Sequence, residues 1–229
     1  VYKKMPILAL GRKEWKPDTG IIRIVLKNGG VTALQQLMQP IGKILIQGCI
    51  NQYGVSVIAA FNAVNRVDDF ACIPEQSISH AMMTYISQSV GAGNQEKKKE
   101  GFRKGLVLEV LYGILIFLVV FLFAQPIIHI FGSGKMADIG ANYLRCIAIF
   151  YILPGVTNGI QGYFRGIQKM KITLISTCIQ ISLRTIFVYT LVPHIGMNGA
   201  AYACAIGWSV MILYQIYIYR KMKRNNQPD

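Results

Sequence analysis

Residues 106–131 read LVLEVLYGILIFLVVFLFAQPIIHIF, and this almost continuously apolar stretch decides the fold. The hydrocarbon core of a bilayer is about 30 Å thick, and about 20 mainly apolar helical residues cross it. The stretch is therefore long enough to span a membrane as a single helix.

Five further segments have a similar length and character: 29–52, 55–90, 139–163, 172–192 and 199–219. Hydrophobic residues make up 53% of the chain and charged residues only 15%, whereas soluble domains carry about 25% charged residues. A backbone exposed to lipid must satisfy its own hydrogen bonds, which favours helices. The sequence thus predicts an all-α polytopic membrane protein, a bundle of six transmembrane helices.

The basic residues indicate how this bundle is oriented. The chain has 24 Lys and Arg against 10 Asp and Glu, and nineteen of the basic residues lie within residues 1–28, 97–104, 165–171 and 220–224. In a six-helix topology these stretches share one side, and the opposite loops hold only Lys135. The positive-inside rule makes the basic side cytoplasmic, so both ends are expected in the cytoplasm. Topology explains the charge, and no nucleic-acid partner is expected.

This topology divides the chain into three regions. Residues 1–28 are predicted to form a cytoplasmic linker, 29–219 a six-helix membrane lobe, and 220–229 a cytoplasmic basic tail. The first residues, Val-Tyr-Lys-Lys, are typical of the end of an earlier helix. We therefore expect the chain to be a fragment of a longer protein.

Polar residues spaced by four form a row along the first segment that drifts gradually around the helix, and those of the second segment lie on one face. Ionisable groups at membrane depth are costly and usually face a water-filled cavity or a partner. We predict that the first two helices line a pathway for substrate or ions. The candidate pathway residues are Gln35, Gln39, Lys43, Asn62, Arg66, Asp69, Glu75 and His80.

Several alternatives remain for these residues. They can instead join neighbouring helices through interhelical hydrogen bonds. Arg66 and Asp69 lie three residues apart and can pair with each other. His80 is either a proton relay or a cavity histidine whose hydrogen bonds are satisfied.

The fourth segment contains a candidate hinge at Pro154 and Gly155. Proline removes one backbone hydrogen bond and should bend the helix. Gly155, Gly159, Gly162 and Gly166 permit close approach of another helix. The segment is therefore either a moving hinge or a tightly packed, static helix.

The sequence contains no pattern that indicates an enzyme active site or a metal-binding site. The five cysteines are scattered singly, so neither a zinc site nor a disulfide framework is indicated. The glycine-containing loop 91–99 lacks the preceding strand and the Gly-Lys-Ser/Thr ending of a phosphate-binding loop. No nucleophile and base are arranged for catalysis. We expect a protein that is not an enzyme and has no metal and no covalent cofactor.

Six short runs, taken in order, resemble the multidrug and toxic compound extrusion (MATE) transporters. They are GVTALQQL (30–37), QGCINQYG (47–54), NRVDDFACIP (65–74), SQSVGAG (87–93), GYFRG (162–166) and PHIGMNGA (193–200). The resemblance implies the C-terminal lobe of a twelve-helix, two-lobed antiporter in the plasma membrane. Such a protein exports small amphipathic or cationic compounds in exchange for H⁺ or Na⁺. The implied partners are the bilayer and a missing N-terminal six-helix lobe.

Two positions depart from the family pattern. Some branches carry an acidic residue in the seventh helix and an aspartate in the tenth, and the matching positions here are Gln39 and Pro154. Neither side chain can titrate, so a cation site of that kind is not expected in this lobe. Glu75 is a local substitute, because a carboxylate in the middle of a long apolar helix must be paired, hydrated or protonated.

Two other functions remain as alternatives. A lipid-linked oligosaccharide flippase of similar lobed fold should carry more cationic residues facing its cavity. A non-transporting membrane scaffold subunit would not need the polar faces of the first two segments.

Overall fold

The computed structural model describes residues 18–224, and this part of the chain is almost entirely helical. Its seven α-helices, numbered here in chain order, confirm the predicted all-α class. They are α1 (Thr19–Ile50), α2 (Val55–Gly91), α3 (Gln95–His129), α4 (Lys135–Ala148), α5 (Ile152–Gly166), α6 (Met170–Ile195) and α7 (Asn198–Arg224), with a 3₁₀ turn (Asn51–Tyr53) after α1. Residues 1–17 of the predicted linker and 225–229 of the predicted tail lie outside the described residues.

The first helix begins earlier than the predicted membrane segment. Asp18 caps it, because its carboxylate accepts hydrogen bonds from the backbone N–H groups of Gly20 (2.8 Å) and Ile21 (3.2 Å). Such a cap satisfies donors that have no partner inside the helix. Residues 19–28, assigned to the linker from the sequence, form the first turns of α1.

The fourth predicted segment consists of two helices. The axes of α4 and α5 meet at 51°, with the break at residues 149–151. Pro154 accounts for the position of this break, because it has no N–H to donate to the carbonyl of Phe150 and its ring crowds that turn. The bend therefore lies one turn before Pro154. Movement of α5 about this bend, as in a hinge, remains a prediction.

Three helices, α3, α6 and α7, are long and apolar enough to cross a membrane, and α4 with α5 qualifies as a broken fourth span. The helices α1 and α2 have the length but carry the polar faces described above. Along α3, large side chains such as Leu108, Leu111, Leu115 and Leu122 are exposed on the outside of the bundle. An apolar outer face of this kind suits contact with lipid.

Glycines set the closest helix contacts in the bundle. On α3, Gly101 lies against Tyr85 and Gly105 against Met82, which fixes the register of the α2–α3 hairpin. The α6–α7 hairpin is packed extensively, with Gly207 close to the carbonyl of Gln180. The helix α1 packs along α6 but contacts α2 at few points. A cleft therefore separates the two helices that carry the polar faces.

Candidate functional site: a polar cavity between α1 and α2

The cleft between α1 and α2 leads into a cavity of about 220 Å³ whose remaining wall comes from α4, α5, α6 and α7. Hydrophobic clusters lie on either side of it along α2, one including Phe61 and Val64 and the other including Met82 and Ile86. The α2 residues on the cavity wall extend from Asn65 to His80, so they overlap the first cluster and end before Met82.

The structure brings most of the predicted pathway residues together. Those on the cavity wall are Gln35, Gln39 and Lys43 from α1, Asp69 and His80 from α2, and the candidate hinge residue Pro154 from α5.

The other predicted residues lie elsewhere. Asn62 and Arg66 are exposed on α2 and are not part of the wall. Glu75 is buried behind the wall, and Gly155 packs against α3. The transport role of all these residues remains a prediction.

An ion pair crosses the cleft between α1 and α2. The Nζ atom of Lys43 lies 2.6 Å from Oδ1 of Asp69, with 41% and 64% of the two side chains exposed. The alternative pairing of Arg66 with Asp69 is therefore wrong, because α1 brings Lys43 to this carboxylate instead. A pair this exposed contributes about 0.2–1 kcal/mol at most in water. Its main effect is to connect two helices that otherwise hardly touch.

A second polar network joins three helices at the cavity. Buried Gln35 donates from Nε2 to Oε1 of Gln161 (2.7 Å) and to the hydroxyl of Thr177 (3.0 Å). The same Gln161 oxygen accepts a hydrogen bond from Arg165 (2.8 Å). Gln35 thus makes the interhelical hydrogen bonds considered as an alternative, while it also faces the cavity.

The cavity wall carries both signs of charge. Asp68 accepts a hydrogen bond from the hydroxyl of Tyr151 at the α4–α5 break. Arg165 and Arg184 also line the wall, and the Nε atom of each is buried without a hydrogen-bond partner among the described residues. Two guanidinium groups with unused donors can bind a carboxylate, phosphate or carbonyl oxygen of a solute.

Glu75 is linked to the cavity through Asn158. Its carboxylate is 1% exposed and accepts a hydrogen bond from Nδ2 of Asn158 (3.3 Å). The backbone carbonyl of Asn158 accepts a hydrogen bond from Ser79 (2.7 Å), and both residues line the cavity. Glu75 is therefore one side chain away from the cavity rather than on its surface.

A polar face on α5 was not predicted from the sequence. Thr157, Asn158, Gln161 and Arg165 lie on the cavity side of this helix, and its glycines lie on the other side. The signal was present as polar residues spaced by three and four, which is the period of one helical face. Asp68, Tyr151 and Arg184 are further cavity residues outside the predicted pathway list.

The family model described as MatE matches residues 32–190, which is more than half of the chain. The chain belongs to the MATE family. MATE proteins are transporters, not enzymes, and are multi-pass proteins of the plasma membrane, which confirms those predictions.

Individual comparisons agree with this assignment. Probable multidrug resistance protein YoeA of Bacillus subtilis is 22% identical over 213 residues, which is 90% of this chain and 46% of YoeA. Probable multidrug resistance protein YpnP of the same organism is 28% identical over 180 residues, 76% of this chain and 40% of YpnP. The crystal structure of MATE in the straight conformation superposes with a TM-score of 0.86 at 17% identity, covering 97% of this chain and 52% of that one. The chain thus spans about half the length of the MATE proteins it matches.

Proposed function

We propose that this chain is the C-terminal lobe of a secondary active exporter of small amphipathic or cationic compounds, coupled to H⁺ or Na⁺. The observation that carries the proposal is the one-sided polar cavity. Its α1–α2 side holds exposed Gln39, Gln76 and His80, and the α1–α2 contact is too slight to close it. A second six-helix lobe facing this side would complete a substrate chamber.

Alternating access gives such a chamber its function. Two lobes that rock against each other expose a shared site first to one side of the membrane and then to the other. The mixed polarity of the wall, with Trp208 and Met211 beside the polar residues, suits compounds that are partly apolar and partly charged.

A second candidate is export of amphipathic anions. The buried Nε donors of Arg165 and Arg184 favour it, since Lys43 is already paired with Asp69. The same arginines are the kind of cationic cavity residue that the flippase alternative required.

Transport by the complete protein distinguishes these candidates. This lobe joined to its six-helix partner lobe would be reconstituted into proteoliposomes, and a lipophilic cationic dye would be compared with an anionic dye of matched size. We expect cationic dye transport when a pH or Na⁺ gradient is imposed, and transport at the level of empty vesicles without a gradient. Transport of the anionic dye alone would favour the second candidate. Failure of both dyes under either gradient would contradict the exporter proposal.

We also propose that both ends of the chain face the cytoplasm. Gly134, in the turn before α4, and His194, near the end of α6, are exposed at the end of the bundle opposite Gln95, which begins the basic end of α3. In a background without the native cysteines, cysteine introduced at 134 or 194 should react with an impermeant maleimide in intact cells. Cysteine introduced at position 95 should react only after the cells are permeabilised. The same result is expected at Asn225, which lies outside the described residues. Labelling of position 95 in intact cells would refute this orientation.

A further inference from the structure

The carboxyl group of Glu109 is unusual for the apolar stretch that contains it. The residue is 0% exposed, and neither Oε1 nor Oε2 has a hydrogen-bond partner among the described residues. An ionised carboxylate buried without a partner is strongly unfavourable, and it becomes neutral instead. Glu109 is therefore a carboxylic acid that retains its proton in this conformation.

The glycine face of α5 covers Glu109. A Cβ atom at Gly155 would lie 3.0 Å from the Glu109 carbonyl oxygen, and one at Gly159 would lie 3.3 Å from Glu109 Cγ. One turn along α3, Gly113 lies equally close to Ile152, at the start of α5. Water can reach the Glu109 carboxyl from this side only if α5 moves away from α3.

A second carboxyl group lies close to Glu109. Both carboxyl groups meet the same turn of α5, because Glu109 Cγ lies against Gly159 and the preceding residue, Asn158, donates a hydrogen bond to Glu75 (3.3 Å). Two neighbouring carboxyl groups in a dry site do not both ionise, and they hold at least one proton between them.

No basic side chain neutralises this pair among the described residues. Three other titratable groups lie near the pair: Tyr112 on α3, and Cys72 and Asp68 on α2. The hydroxyl of Tyr112 donates a hydrogen bond to the carbonyl of Ala71 (2.9 Å), and Asp68 accepts one from the hydroxyl of Tyr151. On α5, Arg165 is hydrogen-bonded to Gln161. No group of three His, Cys, Asp or Glu side chains is placed to hold a metal ion among the described residues.

We propose that Glu109 and Glu75 together form a proton-binding site and that the bound proton keeps α5 packed against α3. Asn158 gives the site its route to the cavity, because it lines the cavity and donates to Glu75. The proton passes from cavity water to the Glu75 carboxylate and on to Glu109. When the proton leaves by the same route, the carboxyl pair becomes negatively charged. Water must then hydrate this charge, and it can reach the pair only if α5 separates from α3. The inference rests on the proposed exporter function and assigns its coupling to H⁺.

Infrared spectroscopy of the complete transporter tests the protonation directly. At neutral pH the wild-type protein should show the C=O stretching band of a buried, protonated carboxyl group, and Glu109→Gln should remove it. The matched control is Glu100→Gln on the same helix, where the carboxylate is half exposed and paired with Lys104 at 2.6 Å. That control should leave the band unchanged. A band that persists in Glu109→Gln at full intensity would overturn the inference.

Transport of the same variants tests the coupling. Glu109→Gln and Glu109→Met should both fold, since a neutral, unpartnered side chain is replaced, and both should still bind substrate. Efflux driven by a pH gradient should fall to the level of empty vesicles. A wild-type pH profile in either variant, or wild-type efflux that follows only Na⁺, would overturn the inference and leave the exporter proposal intact. Absence of any transport by the wild type would refute the exporter proposal, and the infrared result would still decide the protonation.

Discussion

Expressed without a partner lobe, this chain should give a drug-sensitive host no resistance above that of the empty vector. The polar side of the cavity would then face lipid, where exposed ionisable groups such as Asp69 and His80 are unfavourable. There would also be no opposing wall to enclose a substrate. The measurement is the minimal inhibitory concentration of cationic drugs in a strain that lacks its own exporters.

The control is the same chain joined to its six-helix partner lobe and present in the membrane at the same level. Resistance should then appear. Resistance conferred by the chain alone as a monomer would contradict the two-lobe proposal. Crosslinking of two copies across the cavity, with resistance, would show that a second copy can replace the other lobe.

Helical periodicity predicted the orientation of the polar residues on α2 correctly. Asn62, Arg66 and Asp69 are all exposed, and Glu75 and Ser79 beside that face are buried. Periodicity did not predict which of them reach the cavity. That depends on how α1, α5, α6 and α7 pack beside α2, because these helices form the rest of the cavity wall.

The partner of Asp69 shows the same limit for charges. Its spacing from Arg66 suggested a local pair, but α1 places Lys43 against it across the cleft. A spacing of three residues only permits contact within one helix. The approach of another helix decides which partner is used, and the sequence of α2 contains no information about that approach.

On α5 and α3, the missed residues were visible in the sequence. The glycines of α5 were recognised as a packing face, and the opposite face with Asn158, Gln161 and Arg165 forms cavity wall. Glu109 is the lone carboxylate in the stretch that decided the fold. Its burial could not be predicted, because a helix with one carboxylate can turn it toward water, lipid headgroups or another helix.

Replacing Glu75 with glutamine in the complete transporter should abolish or strongly reduce pH-driven efflux while substrate binding survives. Glutamine cannot titrate, yet its side-chain oxygen can still accept the hydrogen bond from Asn158 that the carboxylate accepts now. Coupling to H⁺ requires a group whose proton affinity differs between the two states of the transporter, and the substitution removes such a group. Efflux rates across a series of imposed pH gradients, together with dye binding to the purified protein, provide the measurement.

The control for Glu75→Gln is Asp138→Asn, which makes the same change of charge at an exposed carboxylate in the first turn of α4 and should leave efflux unchanged. Lys43 does not neutralise Glu75, because it pairs with Asp69. Glu75 instead has an amide donor that serves both its ionised and its protonated form. Wild-type efflux with an unchanged pH dependence in Glu75→Gln would therefore mean that this carboxyl group does not change its protonation during transport. The coupling group would then have to lie in the other lobe, with Glu109 neutral in every state.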